Sequence, residues 1–257
     1  ALALTQSLRV QQTVIRRPKN LSLPSFLLGI VRSLNNKVDE LSAVLDNNDI
    51  GICCITDSWL QKDIPTETVD IEGFACHRRD RSDGRIGGGV ACYVRNNLQC
   101  RRLSSLESTN HESLWLLYRS NRMPREVYHI VIGVIYHPPN ANGFITASYI
   151  IDCLDSIIRD HPQSGIILLG DFNRMDDSRL RSYPLKQVVT SPTRKNAILD
   201  KFFTSVSDWY IKPEIIENIG SSDHMTVLMK SRNPEQFPRG QRIRVLFAAM
   251  TLMVKHF

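Results

Sequence analysis

Gly165-Ile166-Ile167-Leu168-Leu169-Gly170-Asp171-Phe172-Asn173 is an apolar run that stops on a glycine and an acid. The run from Gly165 to Leu169 has no polar alternation, so it reads as a strand buried on both faces. Upstream, Ile145, Tyr149, Ile150, Leu154, Ile157 and Ile158 recur at helical spacing. They predict a helix from about residue 145 to 160, which His161-Pro162 stops. Further upstream, Phe26-Leu27-Leu28-Gly29-Ile30-Val31 and Ile50 to Thr56 read as buried strands. Between them Val38, Leu41, Val44 and Leu45 mark a helix, with Asp39 and Glu40 in its first turn, where the dipole favours acids. Strand, helix and strand in about 30 residues make a βαβ-like unit. Segments 74–79, 89–94, 98–103, 113–118 and 127–136 follow as strands, and 199–204 and 225–229 close the series. The predicted fold class is α/β with much antiparallel sheet: two packed β-sheets with helices outside.

The 257 residues are 42% hydrophobic and 23% charged, which excludes wholesale disorder. No apolar run approaches 18 residues; the longest, Val245 to Val254, is broken by Thr251, so no membrane span is expected. No signal peptide opens the chain, and its first residue, Ala1, suggests a fragment. Six cysteines form no CxxC pair and no paired Cys/His spacing, which argues against a zinc site or disulfide framework and for a reducing compartment. The net charge of +6 is unevenly spread. Residues 1–38 carry six Lys/Arg and no acid, and residues 230–257 carry six against Glu235. Taking these from the totals of 32 and 26 leaves 20 bases and 25 acids, so the middle of the chain is net −5. The basic termini read as DNA-contacting arms or as solvated tails. Residues 1–24 read as a flexible basic arm, with a transit peptide as the alternative. Residues 25–231 form the folded domain, and 232–257 are a basic tail or truncated linker.

Several acids sit at predicted strand ends. Asp57 follows the strand at 50–56, Asp171 and Asn173 follow 165–169, Asp200 enters 199–204, and Asp223-His224 precedes 225–229. Strand ends converge in sheet proteins, so these groups can meet in one pocket. Converging hard oxygens favour Mg²⁺ or Mn²⁺ over zinc. Taken singly, each acid reads as a cap or turn residue before it reads as a ligand. Gly87-Gly88-Gly89 lacks the Gly-Lys-Ser/Thr ending of a P-loop and leads into a strand, so no nucleotide cofactor is expected. Arg78, Arg79, Arg81 and Arg85 nearby are candidate DNA-phosphate contacts, or a solvated face paired with Asp80 and Asp83. Trp59, Trp115 and Trp209 read as core or core-edge residues.

Seven motifs stand in one order: Val31-Arg32-Ser33-Leu34-Asn35-Asn36-Lys37; Ile55-Thr56-Asp57-Ser58-Trp59-Leu60; Arg79-Asp80-Arg81 with Gly87-Gly88-Gly89-Val90; Tyr136-His137-Pro138-Pro139-Asn140; Gly170-Asp171-Phe172-Asn173; Leu199-Asp200-Lys201-Phe202-Phe203; and Ser222-Asp223-His224. In these the chain resembles the endonuclease/exonuclease/phosphatase superfamily over about residues 26–230, and most of all the apurinic-type endonuclease domain of non-LTR retrotransposons. The resemblance implies a four-layer sandwich and a Mg²⁺- or Mn²⁺-dependent phosphodiester hydrolase acting on DNA. It implies that His224 acts at the scissile phosphate as general acid/base or charge stabiliser, oriented by Asp200. Asp171 would position or deprotonate the attacking water, Asn173 would donate to the phosphate, and Tyr136 would donate to developing phosphate charge. Asp57 and Asp223 would hold the metal. Such a protein would be intracellular, and nuclear if it serves retrotransposition. A small-molecule phosphoesterase shares the superfamily, but the Arg32-Ser33-Leu34 and Tyr136-His137-Pro138-Pro139 contexts disfavour it. No Tyr/Phe-x-Asp-Asp tract of a reverse transcriptase is present.

Two positions depart from that pattern. The motif's leading Asn is Ile30, which has no donor or acceptor. Its metal-ligating Glu is Asp57, shorter by one methylene, which retracts the carboxylate by about 1 Å against a tolerance of roughly 0.5 Å. A weakened enzyme, or an inactive remnant that keeps the fold and DNA binding, is the alternative these positions raise.

Overall fold

The computed structural model describes residues 23–82, 84–120, 123 and 127–232. The expectations for the basic arm, the tail and Val245 to Val254 fall outside these residues, apart from the last two residues of the arm and the first of the tail.

Twelve strands form two six-stranded sheets among the described residues. The first contains β1 (Phe26–Ile30), β2 (Ile52–Thr56), β3 (Phe74–Arg79), β4 (Val90–Arg95), β11 (Glu214–Ile216) and β12 (Thr226–Met229), in the order β11-β12-β1-β2-β4-β3. The second contains β5 (Gln99–Arg102), β6 (Glu112–Arg119), β7 (His129–Tyr136), β8 (Ser164–Asp171), β9 (Lys186–Gln187) and β10 (Asp200–Thr204), in the order β5-β6-β7-β8-β10-β9. Helix α1 (Val38–Asn47) joins β1 to β2, and α2 (Gly143–Asp160) joins β7 to β8. Each helix thereby connects the two parallel strands at the middle of its sheet. Parallel neighbours need such a crossover, and burial on both faces explains their unbroken apolar runs. All other ladders are antiparallel. The two halves share one plan, a parallel pair with an antiparallel strand on each side, that no sequence repeat announces.

Three apolar layers hold this together. Phe26, Leu28, Ile52, Cys54, Leu114, Ile132, Leu169 and Phe202 fill the space between the sheets. Leu41 and Leu45 of α1 cover Leu27, Cys53 and Ile55 on the outer face of the first sheet. Ile150, Leu154 and Ile157 of α2 cover Trp115, Val131 and Leu168 on the second. Each large side chain fully buried in this way stabilises the fold by about 1.5–3 kcal/mol. The layers run helix, sheet, sheet, helix, as expected of the sandwich. Asn142 caps α2, its side chain accepting from Phe144 N at 3.0 Å and Ile145 N at 3.3 Å. All six cysteines are free thiols, and no described helix is long and apolar enough to cross a membrane. Trp115 and Trp209 are buried, whereas Trp59 is exposed, because it stands on the loop beyond β2.

Strand β8 runs longer than its apolar residues, continuing through Gly170 to Asp171. Gly170 makes this possible. Its φ is +148°, and a Cβ there would lie 1.8 Å from the Ile135 carbonyl oxygen of β7. Only a residue without a side chain lets β8 stay paired at this point. Gly73 is the natural comparison, with φ +82° but open space around it. Gly73→Ala should cost about 1 kcal/mol from backbone strain alone, and Gly170→Ala at least about 2 kcal/mol more through the clash. Urea unfolding of the two variants checks this; equal midpoints would show that β8 can shift away from β7.

Candidate active site

The register of the second sheet puts four polar residues in one row. Glu112 of β6 lies opposite Tyr136 of β7, Tyr136 opposite Asp171 of β8, and Asp171 opposite Asp200 of β10. Side chains alternate along a strand. Residues two positions away on each of these strands, such as Leu114, Val134, Leu169 and Phe202, face the space between the sheets. The row therefore faces the same way, at one end of that space.

Asp171, Asp200 and His224 form the centre, each buried, with one potential ligand atom apiece all within 4.8 Å of one another. His224 Nδ1 lies 2.9 Å from Asp200 Oδ2. With Asp200 ionised, Nδ1 carries the hydrogen and Nε2 is the nitrogen left for proton transfer. Thr193 Oγ1 accepts from both Leu199 N and Asp200 N at 3.1 Å, which fixes the start of β10. Met225 N donates to Thr193 O at 2.7 Å, which ties the His224 segment to the same loop.

Asn173 holds Asp171. Its backbone N–H donates to Asp171 Oδ1 at 2.8 Å, and its Nδ2 donates to Asp171 Oδ2 at 3.0 Å and to His137 O at 2.8 Å. Both amide hydrogens are thus committed inside the protein, so Asn173 orients Asp171 here and has none left for a phosphate.

The electrostatics follow from two carboxylates buried side by side. Burial and the charge of Asp200 push Asp171 up to about 7, against the pull of His224 and the Asn173 N–H. Burial disfavours a charged His224, but its hydrogen bond to Asp200 and the charges of Asp200 and Asp171 outweigh this and raise its pKa. Tyr136 is held well above its usual value by burial and by Asp57, Asp171 and Glu112, so it stays a neutral donor. Asp200 Oδ1 is buried with no hydrogen-bond partner among the described residues. An orphan carboxylate oxygen costs free energy unless something outside the chain meets it. Two carboxylates and an imidazole this close fit a divalent cation, which would take the place of the proton that Asp171 otherwise retains.

The other expected residues are placed differently. Asp57 lies within electrostatic reach of Asp171 and Tyr136, but its Oδ1 accepts from Gly88 N at 2.7 Å. Asp223 is outside the central group. Its carboxylate pairs with Arg32 at 3.1 Å and Arg194 at 2.7 Å, which hold it ionised despite partial burial. Ile30 is buried between the sheets opposite Thr56, whose hydroxyl has no partner among the described residues. Arg78 is bidentate to Asp80 and also bonds the carbonyls of Ile64 and Gln61. Arg79 pairs with Glu107, and Arg81 pairs with Glu112 and stacks on the Tyr136 ring. Arg78, Arg79 and Arg81 thus bind carboxylates within the fold.

Glu112 joins the site without any motif to announce it. It holds Arg81 and accepts from Gly89 N, so the glycine loop is the bracket that joins Asp57 to Glu112. Its only sequence signal is its position at the start of a strand, which has no meaning until the register is known.

The raised Asp171 pKa couples stability to pH. Its folded value, about 7, lies above its ordinary value of 3.8, so between these the folded state holds a proton the unfolded chain has released. Metal-free stability should fall as pH rises from about 4 to 7. Asp171→Asn should flatten that slope and raise the melting temperature at neutral pH. Melting curves in EDTA test this, and a wild-type slope in the variant would place the proton elsewhere.

A model of the Endonuclease/Exonuclease/phosphatase family matches residues 28–224. No protein with a curated description has a matching sequence. Among solved structures, the endonuclease domain of TRAS1, a telomere-specific non-LTR retrotransposon, superposes with a TM-score of 0.61 at 18% identity, covering 82% of this chain and 99% of that one. The AP endonuclease LMAP of Leishmania major gives 0.59 at 15% identity, covering 82% and 88%. The mannosyl-6-phosphatase Bt3783 of Bacteroides thetaiotaomicron gives 0.60 at 14%, covering 81% and 99%. At these identities the superpositions establish a common fold, one that serves nucleases and phosphatases alike. The matched span contains every residue of the central group, and the chain belongs to the endonuclease/exonuclease/phosphatase family.

Proposed function

We propose that this chain is a divalent-metal-dependent phosphodiesterase that nicks DNA, the endonuclease module of a non-LTR retrotransposon. The observation that carries the reading is the buried group of Asp171, Asp200 and His224, with Tyr136 beside it in the same row. The order of the seven motifs supports the nuclease reading over the phosphatase one.

In this reading Asp171 takes the proton of the attacking water, as the carboxylate that Asn173 holds in place. His224, oriented by Asp200, offers a charged imidazole to the phosphate oxygens or a proton to the leaving oxygen. Tyr136 donates to developing charge. Asp171 and Asp200 would hold the cation, which polarises the phosphate and offsets charge on the leaving oxygen when bound. Asn173 acts on the reaction through the Asp171 carboxylate it orients, and Thr193 through the Asp200 backbone it anchors.

A weakened or inactive enzyme is the second reading, and Ile30 and Thr56 favour it. An apolar side chain faces an unpartnered hydroxyl where an Asn would supply a donor and an acceptor. Asp57, already short, is held back by Gly88 N. If each defect costs about 1.4 kcal/mol at the transition state, the pair slows nicking roughly a hundredfold. Mn²⁺ should serve better than Mg²⁺, which demands near-ideal octahedral geometry. Supercoiled-plasmid nicking tests both readings. We expect slow, Mn²⁺-favoured nicking in the native chain, recovery of most of the rate in Ile30→Asn/Asp57→Glu, and loss in His224→Ala. Full activity in the native chain would refute the defect. No activity in the repaired chain would refute the nuclease reading and leave a binding role.

A further inference from the structure

Asp223 is the expected metal ligand that the structure sets apart, and its partners give it another role. Arg32 Nη2 reaches Asp223 Oδ1 at 3.1 Å, while Arg194 Nε and Nη2 reach Oδ2 at 2.8 and 2.7 Å. One carboxylate thus carries two guanidinium groups and leaves a net positive charge. Each guanidinium has five N–H donors. Asp223 accepts one hydrogen bond, from Arg194 Nε, and meets the Nη2 of each arginine as an ion pair, and neither side chain bonds any other acceptor among the described residues. All three side chains are partly exposed, at 42% for Arg32, 29% for Arg194 and 39% for Asp223.

The arrangement is built in advance. Arg32 and Ser33 have φ of 47° and 80°, left-handed values that such residues seldom adopt. Lys37 Nζ fixes this turn by donating to Val31 O and Arg32 O, and Ser33 N donates to Asp57 O at 3.2 Å. On the other side, Arg194 and Ala197 exchange backbone bonds of 3.1 and 2.9 Å around Lys195, whose φ is 51°. Arg32 hangs from the end of β1 in the first sheet, and Arg194 from the loop that leads into β10 in the second. The charge of Arg194 reaches His224. The three residues therefore bridge the ends of both sheets beside the central group.

We propose that Arg32 and Arg194, held together by Asp223, form a phosphate clamp for a backbone phosphate next to the one that is cut, with Asp223 as positioning residue and not metal ligand. This rests on the nuclease reading. A planar, preformed donor set matches the oxygens of a phosphodiester and loses little freedom on binding. It also explains why arginines 78, 79 and 81 can be committed to internal ion pairs: the phosphate is met by a different pair of arginines.

The test is equilibrium binding of the full chain to a short labelled duplex in EDTA, where nothing is cut, over a salt series. Removing one phosphate-binding cation should make the slope of log K against log salt shallower by about 0.9. Arg32→Gln and Arg194→Gln should each show that change, and Arg32→Gln/Asp223→Asn/Arg194→Gln the same change and no more, because the pair meets a single phosphate, with no carboxylate left behind to repel the DNA. Arg32→Lys should keep the native slope, because both cations remain; Asp223→Asn should weaken binding without making the slope shallower, because the cations remain but are no longer held together. A native slope in the triple variant overturns the clamp and leaves the nuclease reading standing. Should the triple variant fold poorly, the single variants, at partly exposed positions, decide the question: native slopes in both overturn the clamp. A native chain that binds no duplex overturns the clamp together with the reading it rests on.

Discussion

The row Glu112–Tyr136–Asp171–Asp200 is the constraint on which the site depends. Four strands from distant parts of the chain must hold their register to within one residue, since a slip of one would turn a carboxylate to the opposite face. The cost of the row is electrostatic: Asp171 and Asp200 lie buried and adjacent, and water is largely excluded. That cost is met locally. Asn173 donates twice to Asp171, Thr193 fixes the start of β10, and His224 takes one oxygen of Asp200. What stays unmet is a retained proton on Asp171 and an orphan oxygen on Asp200, and these leave the place room for a ligand. Fully satisfied carboxylates would be more stable and would have no capacity left for a ligand or a proton.

The two sheets contribute unequally. At the same end of the first sheet, Ile30, Thr56 and Val90 lie side by side, and their only polar side-chain atom is an unpartnered hydroxyl. The second sheet carries acids where the first carries apolar side chains. Asp57, just beyond that apolar row, points one oxygen to a backbone N–H of the glycine loop. The second sheet thus brings the carboxylates together, while the first sheet contributes mainly at the rim, through the turn that carries Arg32.

Charge is organised on a similar principle. Arginines 78, 79 and 81 form ion pairs of modest exposure that fasten β3 and its following loop to Asp80, Glu107 and Glu112. Isolated surface pairs contribute little to stability. These are more sheltered, and Arg81 also packs on Tyr136, so its pairing shapes the site wall as well as the loop. A cluster of like charges in the sequence therefore says little about a binding surface until the carboxylates opposite it are known.

By itself the sequence determined the elements and the fold class. The unbroken apolar runs at 26–30, 52–56 and 165–169 mark strands covered on both faces, and the helical spacing in α1 and α2 names the faces that cover them. It also put Asp171, Asp200 and His224 at strand ends, because a change from apolar to polar residues is visible in one dimension. It left out β9 and β11, which are too short to show a period. Only the tertiary structure decided which of these ends meet, since register depends on pairing between segments tens of residues apart. It took Asp223 out of the central group and gave it to two arginines, engaged both amide hydrogens of Asn173, brought in Glu112, and exposed Trp59. Each of these outcomes turns on what lies across a strand or loop from a given side chain, and that neighbour is chosen by the packing of the two sheets, not by the residues adjacent in the chain.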